Sequence, residues 1–379
     1  MKEAGLYLHI PYCPGKCHYC AFNSRSGSRA AADDYLLALG RQLRAEAEKP
    51  WSRTHTFPTI FVGGGTPTLA SPGALVDLLA LARASFAIPR GAEISIEANP
   101  GTVDQASLAT LREGGYNRLS LGVQSFSDSL LRSLGRLHTA SQAREAVAAA
   151  RGAGFSNINL DLIYGLPGQE LGQWRRSLEA ALALKPTHLA LYELTVEPDS
   201  AFGRKARQGR LELPGEEAVA DMEELSRELL ALAGYQQYEI SNYSLAGCQC
   251  RHNVNYWQNG PYLGLGAGAV SYLAGRRLRA AADAKRYMEL VAAGADVWLD
   301  EEQLEPAARF RETVIMGLRL TAGLDIAALE SASGLTLTQV YGPLIAELTA
   351  QGLLIRDQDH LRLPAALLPL ANQVLSRLV

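Results

Sequence analysis

From Leu6 to Leu194 the chain repeats one pattern six times: a short β-branched or alternating apolar stretch, then an amphipathic helical stretch. The predicted strands are Leu6–Ile10, Thr59–Val62, Glu93–Ala98, Arg118–Gln124, Asn157–Ile163 and His188–Leu194. Helices are predicted between them over Asp34–Lys49, Gly73–Ala84, Ala140–Ala153 and Leu171–Leu184, and Thr139 with Gln142 has the spacing of a capping box. Six β-then-α units require a parallel sheet, because each strand needs a crossover helix before its parallel neighbour. The expected fold is α/β, a partial (β/α)6 TIM-like barrel. In such sheets chemistry collects at the carboxyl ends of the strands. The segments that follow the strands are therefore predicted to meet at one mouth. They are a cysteine cluster, Gly63 to Thr68, Glu97 to Pro100, Gln124-Ser125, and Asp161 with Tyr164 to Pro167.

The 379 residues include five cysteines, three of them in Cys13-x3-Cys17-x2-Cys20 and two at Cys248 and Cys250. Three clustered thiols cannot pair off as disulfides, so a metal centre is the better reading. Three thiolates can ligate three irons of a cubane and leave the fourth open to a molecule bearing an amine and a carboxylate. A zinc site completed by His18 is the structural alternative, although such sites favour paired Cys-x2-Cys knuckles. Cys248 and Cys250 read as ordinary buried thiols.

The remaining strand-end residues fit a small-molecule site. Glycines at Gly63–Gly65 let backbone approach a ligand with no Cβ in the way. Glu97 would meet a cationic partner, since an unpaired buried carboxylate is costly. Arg136 can grip a carboxylate bidentately, and Asp161 can take ribose hydroxyls or an amine.

The composition, 47% hydrophobic and 20% charged with a formal net charge of -3, suits a well-packed soluble protein and offers nucleic acid no bulk attraction. No apolar run reaches the roughly 20 residues of a membrane span, so any membrane contact would be peripheral. The opening MKEAGLYLHI lacks the basic start and long apolar stretch of a secretory signal, and a cytoplasmic location is expected. Three regions are expected: 1–235 as the barrel, 236–300 as a connecting region, and 301–379 as a helical, winged-helix-like module. The helix near Leu337 to Glu347 in that module carries no Lys or Arg, which argues for packing or docking rather than DNA reading.

The cysteine spacing, with Tyr19 just before the last thiol, resembles the radical S-adenosylmethionine (SAM) superfamily. From Leu6 onward the chain is similar to the oxygen-independent coproporphyrinogen III oxidase group and its HemW-type heme chaperone branch. The residues carrying this are Tyr7 to Cys13, Gly63 to Thr68, Glu97 to Gly101, Leu121 to Ser125, Gly135 to His138 and Asn159 to Pro167. The resemblance implies a 4Fe-4S cluster on Cys13, Cys17 and Cys20. It also implies that Tyr7, Gly64 and Glu97 contact the cluster-bound SAM, with Tyr19 beside the adenine. Gly65, Thr66, Gln124, Arg136 and Asp161 would line the rest of the cofactor site.

Two features separate the branches. The oxidase motif continues as Cys-x-Cys, whereas Phe22 stands two residues after Cys20 here, and His252-Asn253-x-x-Tyr256-Trp257 matches a signature of the chaperone branch. The implied function is a heme chaperone that hands heme to apo-hemoproteins, with His252 as heme ligand and a reductant serving the cluster. The alternative is oxidative decarboxylation of coproporphyrinogen III through a 5′-deoxyadenosyl radical.

Overall fold

The computed structural model describes residues 1–273 and 275–379. The six predicted strands form the centre of a 12-stranded sheet. They are β1 (Lys2–Ile10), β2 (His55–Gly64), β3 (Glu93–Ala98), β4 (Arg118–Gln124), β5 (Asn157–Tyr164) and β6 (His188–Glu193). Each pairs in parallel with the next. Residues 236–303 then extend the sheet on both sides. β7 (Gln236–Gln237) and β8 (Asn242–Ser244) add antiparallel beyond β6. β9 (Tyr262–Leu265) pairs in parallel with β1, and β10 (Val270–Leu273), β11 (Arg276–Ala280) and β12 (Trp298–Gln303) continue outward from it antiparallel. The final order is β12-β11-β10-β9-β1-β2-β3-β4-β5-β6-β8-β7. No pairing joins β12 to β7 among the described residues, so the barrel is partial and open.

The connecting region foreseen over 236–300 is thus woven into the sheet. Its strands are only two to six residues long, too short to display a period.

Helices α1 (Arg29–Glu48), α2 (Pro72–Ser85), α3 (Gln105–Gly114), α4 (Ala140–Gly152), α5 (Leu171–Ala183) and α6 (Glu216–Leu232) cover the outer face of the sheet. Local chemistry sets their starts. Ser28 accepts from the Ala31 N–H at the head of α1, and Thr139 and Gln142 form the expected reciprocal capping box at α4. β4 is buried along its whole length, as a strand covered on both faces should be.

The amino end of the barrel is closed by α7 (Arg251–Trp257). Glu93, the first residue of β3, carries the carboxylate that holds it. Its oxygens accept from the backbone N–H groups of Arg251 (3.0 Å) and His252 (3.2 Å), with the Cys250 thiol at 3.5 Å. A helix start leaves these donors without intrahelical partners and carries a partial positive charge, and one buried carboxylate answers both.

The C-terminal region has its own apolar core, running from Phe310 to Leu378. A three-stranded sheet of Leu324–Asp325, His360–Arg362 and Ile355–Asp357 packs with short helices there in a winged-helix-like arrangement. The single middle helix foreseen over Leu337 to Glu347 is two, Leu337–Tyr341 and Leu344–Ala350. Gly342 takes φ 56°, ψ -128° and is followed by Pro343, which breaks the helical run. No helix among the described residues is long and apolar enough to cross a membrane.

Replacing Glu93 by Ala should lower unfolding free energy by about 1–3 kcal/mol, because two buried N–H groups lose their acceptor. Urea denaturation of the purified variant measures this, and an unchanged midpoint would show that α7 is held by other contacts.

Candidate cluster and cofactor site

The cysteine loop leaves the carboxyl end of β1 and is clamped from several directions. Tyr12–Cys13 pairs in parallel with Arg25–Ser26. The His9 Nε2 lies 2.9 Å from the Asn23 carbonyl, and the Asn23 amide donates to the carbonyls of Ala267 (2.9 Å) and Ala282 (3.0 Å). Further along, the His18 N–H donates to Leu134 O (2.9 Å), and Phe202 N–H donates to His18 O (2.8 Å). Cys13, Cys17 and Cys20 are half-buried free thiols. Burial pushes the Cys13 thiol up, the Thr66 and Ser24 hydroxyls oppose this, and the charges of Cys20 and Cys17 reinforce it. Among the described residues no three His, Cys, Asp or Glu side chains converge to hold one metal ion. Soft thiol donors spread around a space suit a cluster bound at its corners.

The glycine segment packs directly against this loop. Gly64 adopts φ 116°, and a Cβ on it would lie 2.5 Å from the His9 ring. A Cβ on Gly65 would lie 2.7 Å from Tyr12 O and 3.0 Å from Cys13 Sγ. Both positions therefore demand glycine. The approach leaves Gly64 N–H donating to Glu97 Oε2 (3.0 Å). Thr66 is buried, and its hydroxyl accepts from the Asn99 amide (2.7 Å). Asn99 Oδ1 in turn accepts from Arg136, which also donates to Gly122 O and reaches Cys17 Sγ at 3.5 Å. One chain of contacts thus ties the glycine segment to the cysteines.

A register shift between Gly122 and Gln124 puts Gln124 at φ 66°, with its amide beside Arg136 and Asn99. A bulge of this kind re-aims a side chain. The buried Gln124 Oε1 has no hydrogen-bond donor. A buried acceptor left open is costly, and a polar ligand beside it supplies the missing donor.

Glu97 and Asp161 face a cavity of about 320 Å³ that Tyr7, Arg118, Tyr192, His252 and Tyr256 also line. Burial pushes Glu97 up to about 7, helped by the Asp161 charge and opposed by Gly64 N–H and Arg118. Asp161 is raised by burial and held back by Asn159 (2.8 Å) and Ser120 (3.1 Å), then by Arg118 and Arg136. Two carboxyls sharing so enclosed a space favour a bound cation. His9 Nε2 donates to the Asn23 carbonyl, so its Nδ1 accepts from Tyr7 OH (2.9 Å), and Tyr19 packs beside Leu130, Leu134, Ile163, Leu166 and Phe202. The free thiols, glycine cradle, orphan acceptor and paired carboxyls fit a cluster with an amino-acid-bearing cation such as SAM.

His252, on α7, forms the floor of this same cavity. It is 1% exposed, and both ring nitrogens are engaged, Nδ1 with Thr59 Oγ1 (2.9 Å) and Nε2 with Tyr256 OH (2.9 Å). Its ring stacks on Phe61 at 5.4 Å, and burial pushes it down to about 3. Trp257 is covered by the Arg319 guanidinium at 4.7 Å. Cys250 is buried and Cys248 half-buried, and neither joins the cluster loop.

Sequence reading missed Arg118, His9, Asn99 and Tyr192 as site residues. Arg118 is 2% exposed at the start of β4, and a charged residue opening a wholly buried strand was the available signal.

The Glu97 carboxyl, raised from 4.5 to about 7 in the fold, makes the ligand-free protein lose stability as pH climbs through that window. Stability is full below 4.5, where both states are protonated, and the loss is complete above 7. Thermal melts across pH should show the Glu97→Gln variant with a flatter profile over that span, and parallel profiles would refute the assignment.

Residues 7–181 match the Radical SAM superfamily, and 304–366 match the HemN C-terminal domain. The heme chaperone HemW of Lactococcus lactis is 36% identical over 377 residues, covering 99% of this chain and 97% of that protein. HemW of Bacillus subtilis is also 36% identical, covering 99% and 98%, and HemW of Escherichia coli is 43% identical, covering 74% and 73%. Among solved structures, coproporphyrinogen III oxidase (HemN) from Escherichia coli, a radical SAM enzyme, superposes with TM-score 0.86 at 26% identity, covering 100% of this chain and 90% of its own. With relatives aligned from end to end on a scaffold whose strand ends gather the thiols, glycines and carboxyls described above, the chain belongs to the radical SAM superfamily and, within it, to the HemW heme chaperone family.

Proposed function

We propose that the protein binds heme and delivers it to apo-hemoproteins, with a 4Fe-4S cluster on Cys13, Cys17 and Cys20 and SAM held at the strand ends. The observation that carries this is the end-to-end match, at 36% identity, to proteins named heme chaperone HemW. Phe22 supports the same branch, because it stands 70% exposed where the oxidase motif has a fourth thiol. Membership of the superfamily implies the cluster and SAM. When reduced by an external one-electron donor, such a cluster supplies an electron to the bound sulfonium.

The chain's own residues do the holding. Arg136 neutralises thiolate charge at Cys17 and is placed to meet the cofactor carboxylate. Glu97, fixed by Gly64 N–H, and Asp161 offer acceptors to its ammonium and hydroxyls. Gln124 offers its open Oε1. Tyr7, Tyr19, Gly65 and Thr66 shape the remaining walls. His252 can serve as heme ligand only by giving up Thr59 or Tyr256, so coordination there requires the barrel floor to open.

Anaerobically reconstituted protein titrated with heme should develop a saturable Soret band and should form no protoporphyrinogen when given coproporphyrinogen III, SAM and a reductant. Product formation without heme binding would establish the decarboxylase instead. Replacing Cys20 by Ala should remove most of the iron and acid-labile sulfide, and zinc in their place would refute the cluster.

A further inference from the structure

A second histidine, at the other end of the barrel, has what His252 lacks. His18 Nδ1 lies 2.8 Å from the carbonyl oxygen of Ser133. A carbonyl only accepts, so Nδ1 carries the proton and Nε2 carries the lone pair. No group among the described residues bonds Nε2, and the residue is half-buried rather than sealed. Histidines that bind metals characteristically hold the other ring N–H against a carbonyl or carboxylate, which fixes tautomer and ring orientation.

The ring is held on several sides. Its backbone is clamped to Leu134 and Phe202, and its centroid sits 6.0 Å from the Phe202 ring. Gly135, at φ 72°, passes so close that a Cβ would lie 3.0 Å from Nε2 and Cδ2. The glycine therefore lets backbone pack over the face of the ring and hold its orientation.

The neighbouring segments carry groups that suit a metalloporphyrin. Leu137 is 75% exposed and stands against the cysteine loop, where a Cβ on Gly15 would meet it at 3.5 Å. The short helix Ala201–Arg207, joined to His18 through Phe202, carries Arg204, Lys205 and Arg207, and Lys205 Nζ lies 5.9 Å over the Phe202 ring. Heme needs an imidazole for its iron, an apolar surface for its ring and cations for its propionates.

We propose that His18 Nε2 is an axial ligand to heme docked on the rim of the cysteine loop, with Leu137 against the macrocycle and Arg204 and Lys205 at the propionates. This rests on the heme-carrier reading above. It puts the cargo beside Cys17 at the mouth, and it needs no opening of the floor at His252.

The test is heme titration of the reconstituted full-length protein, read by Soret position and low-spin iron resonance, for wild type, His18→Ala, His252→Ala and the Arg204→Ala/Lys205→Ala pair. His18→Ala should shift the Soret band and weaken binding roughly tenfold or more, with iron and sulfide content unchanged. Added imidazole should restore the wild-type spectrum. The Arg204/Lys205 variant should bind more weakly at an unshifted Soret position, because it loses propionate partners and keeps the ligand. A His18→Ala protein that binds like wild type, or one that loses its iron and sulfide, overturns the proposal while the heme-carrier reading stands. A wild-type protein with no Soret band overturns both.

Discussion

A curved sheet that stops short of closing leaves an interior that side chains must fill, and here they fill it with a linked set of polar groups. Asn159 donates to Ser120 and Asp161, His188 joins Asn159 (2.6 Å) to Tyr238 (2.8 Å), and Tyr238 OH receives the Cys250 N–H (3.4 Å). Cys250 stands beside Glu93, which holds the floor helix. Arg118, enclosed among them, balances Glu93 and Asp161. The bonds run without a break from Asp161 at the cavity to Glu93 at the helix, so the cavity above and the helix below depend on each other, while Arg118 Nε is left without a partner. His188 is pushed toward its neutral form by the same burial, with the Arg118 charge adding to the effect.

This arrangement decides what the mouth can accept. Burial raises both carboxyls and the Asp161 charge raises Glu97 further, while the buried Arg118 cation is already shared with Glu93. A ligand bringing positive charge relieves a tension that an anion would worsen. The glycine segment adds a steric condition, since Gly64 and Gly65 leave no room between His9, Tyr12 and Cys13 for anything but backbone. Charge and close approach thus select the same class of cofactor at one site.

Strand-end logic made most of this readable beforehand. β3 and β4 have the foreseen limits because apolar and small residues fill their interiors, Ile94 to Ile96 and Leu119 to Val123, between charged or polar ends. β1 and β2 begin earlier than foreseen, at Lys2 and His55, because their polar or proline-bearing starts gain strand character only from pairing with each other. α1 begins at Arg29 rather than Asp34, where Ser28 supplies the cap. The site residues at strand ends follow from the sheet rule, whereas the setting of His252 does not. Its partner Thr59 is 193 positions away, and only the return of the chain to the barrel's amino end brings them together. The same holds for Arg118, whose neighbours come from β3, β5 and the segment before α7. The split at Gly342-Pro343 was legible in residue type but was outweighed by the apolar spacing around it.

Asn23 closes the cysteine loop by bonding to Ala267, in the turn between β9 and β10, and to Ala282, just after β11. That clasp joins the twenties of the chain to its two-hundred-and-eighties. A nascent chain shorter than residue 282 lacks the carbonyls that finish the loop, however complete its first six strands. An ordered cysteine loop therefore belongs late in the life of the polypeptide, after most of it has been made, and the thiols stand in an unfinished loop until then.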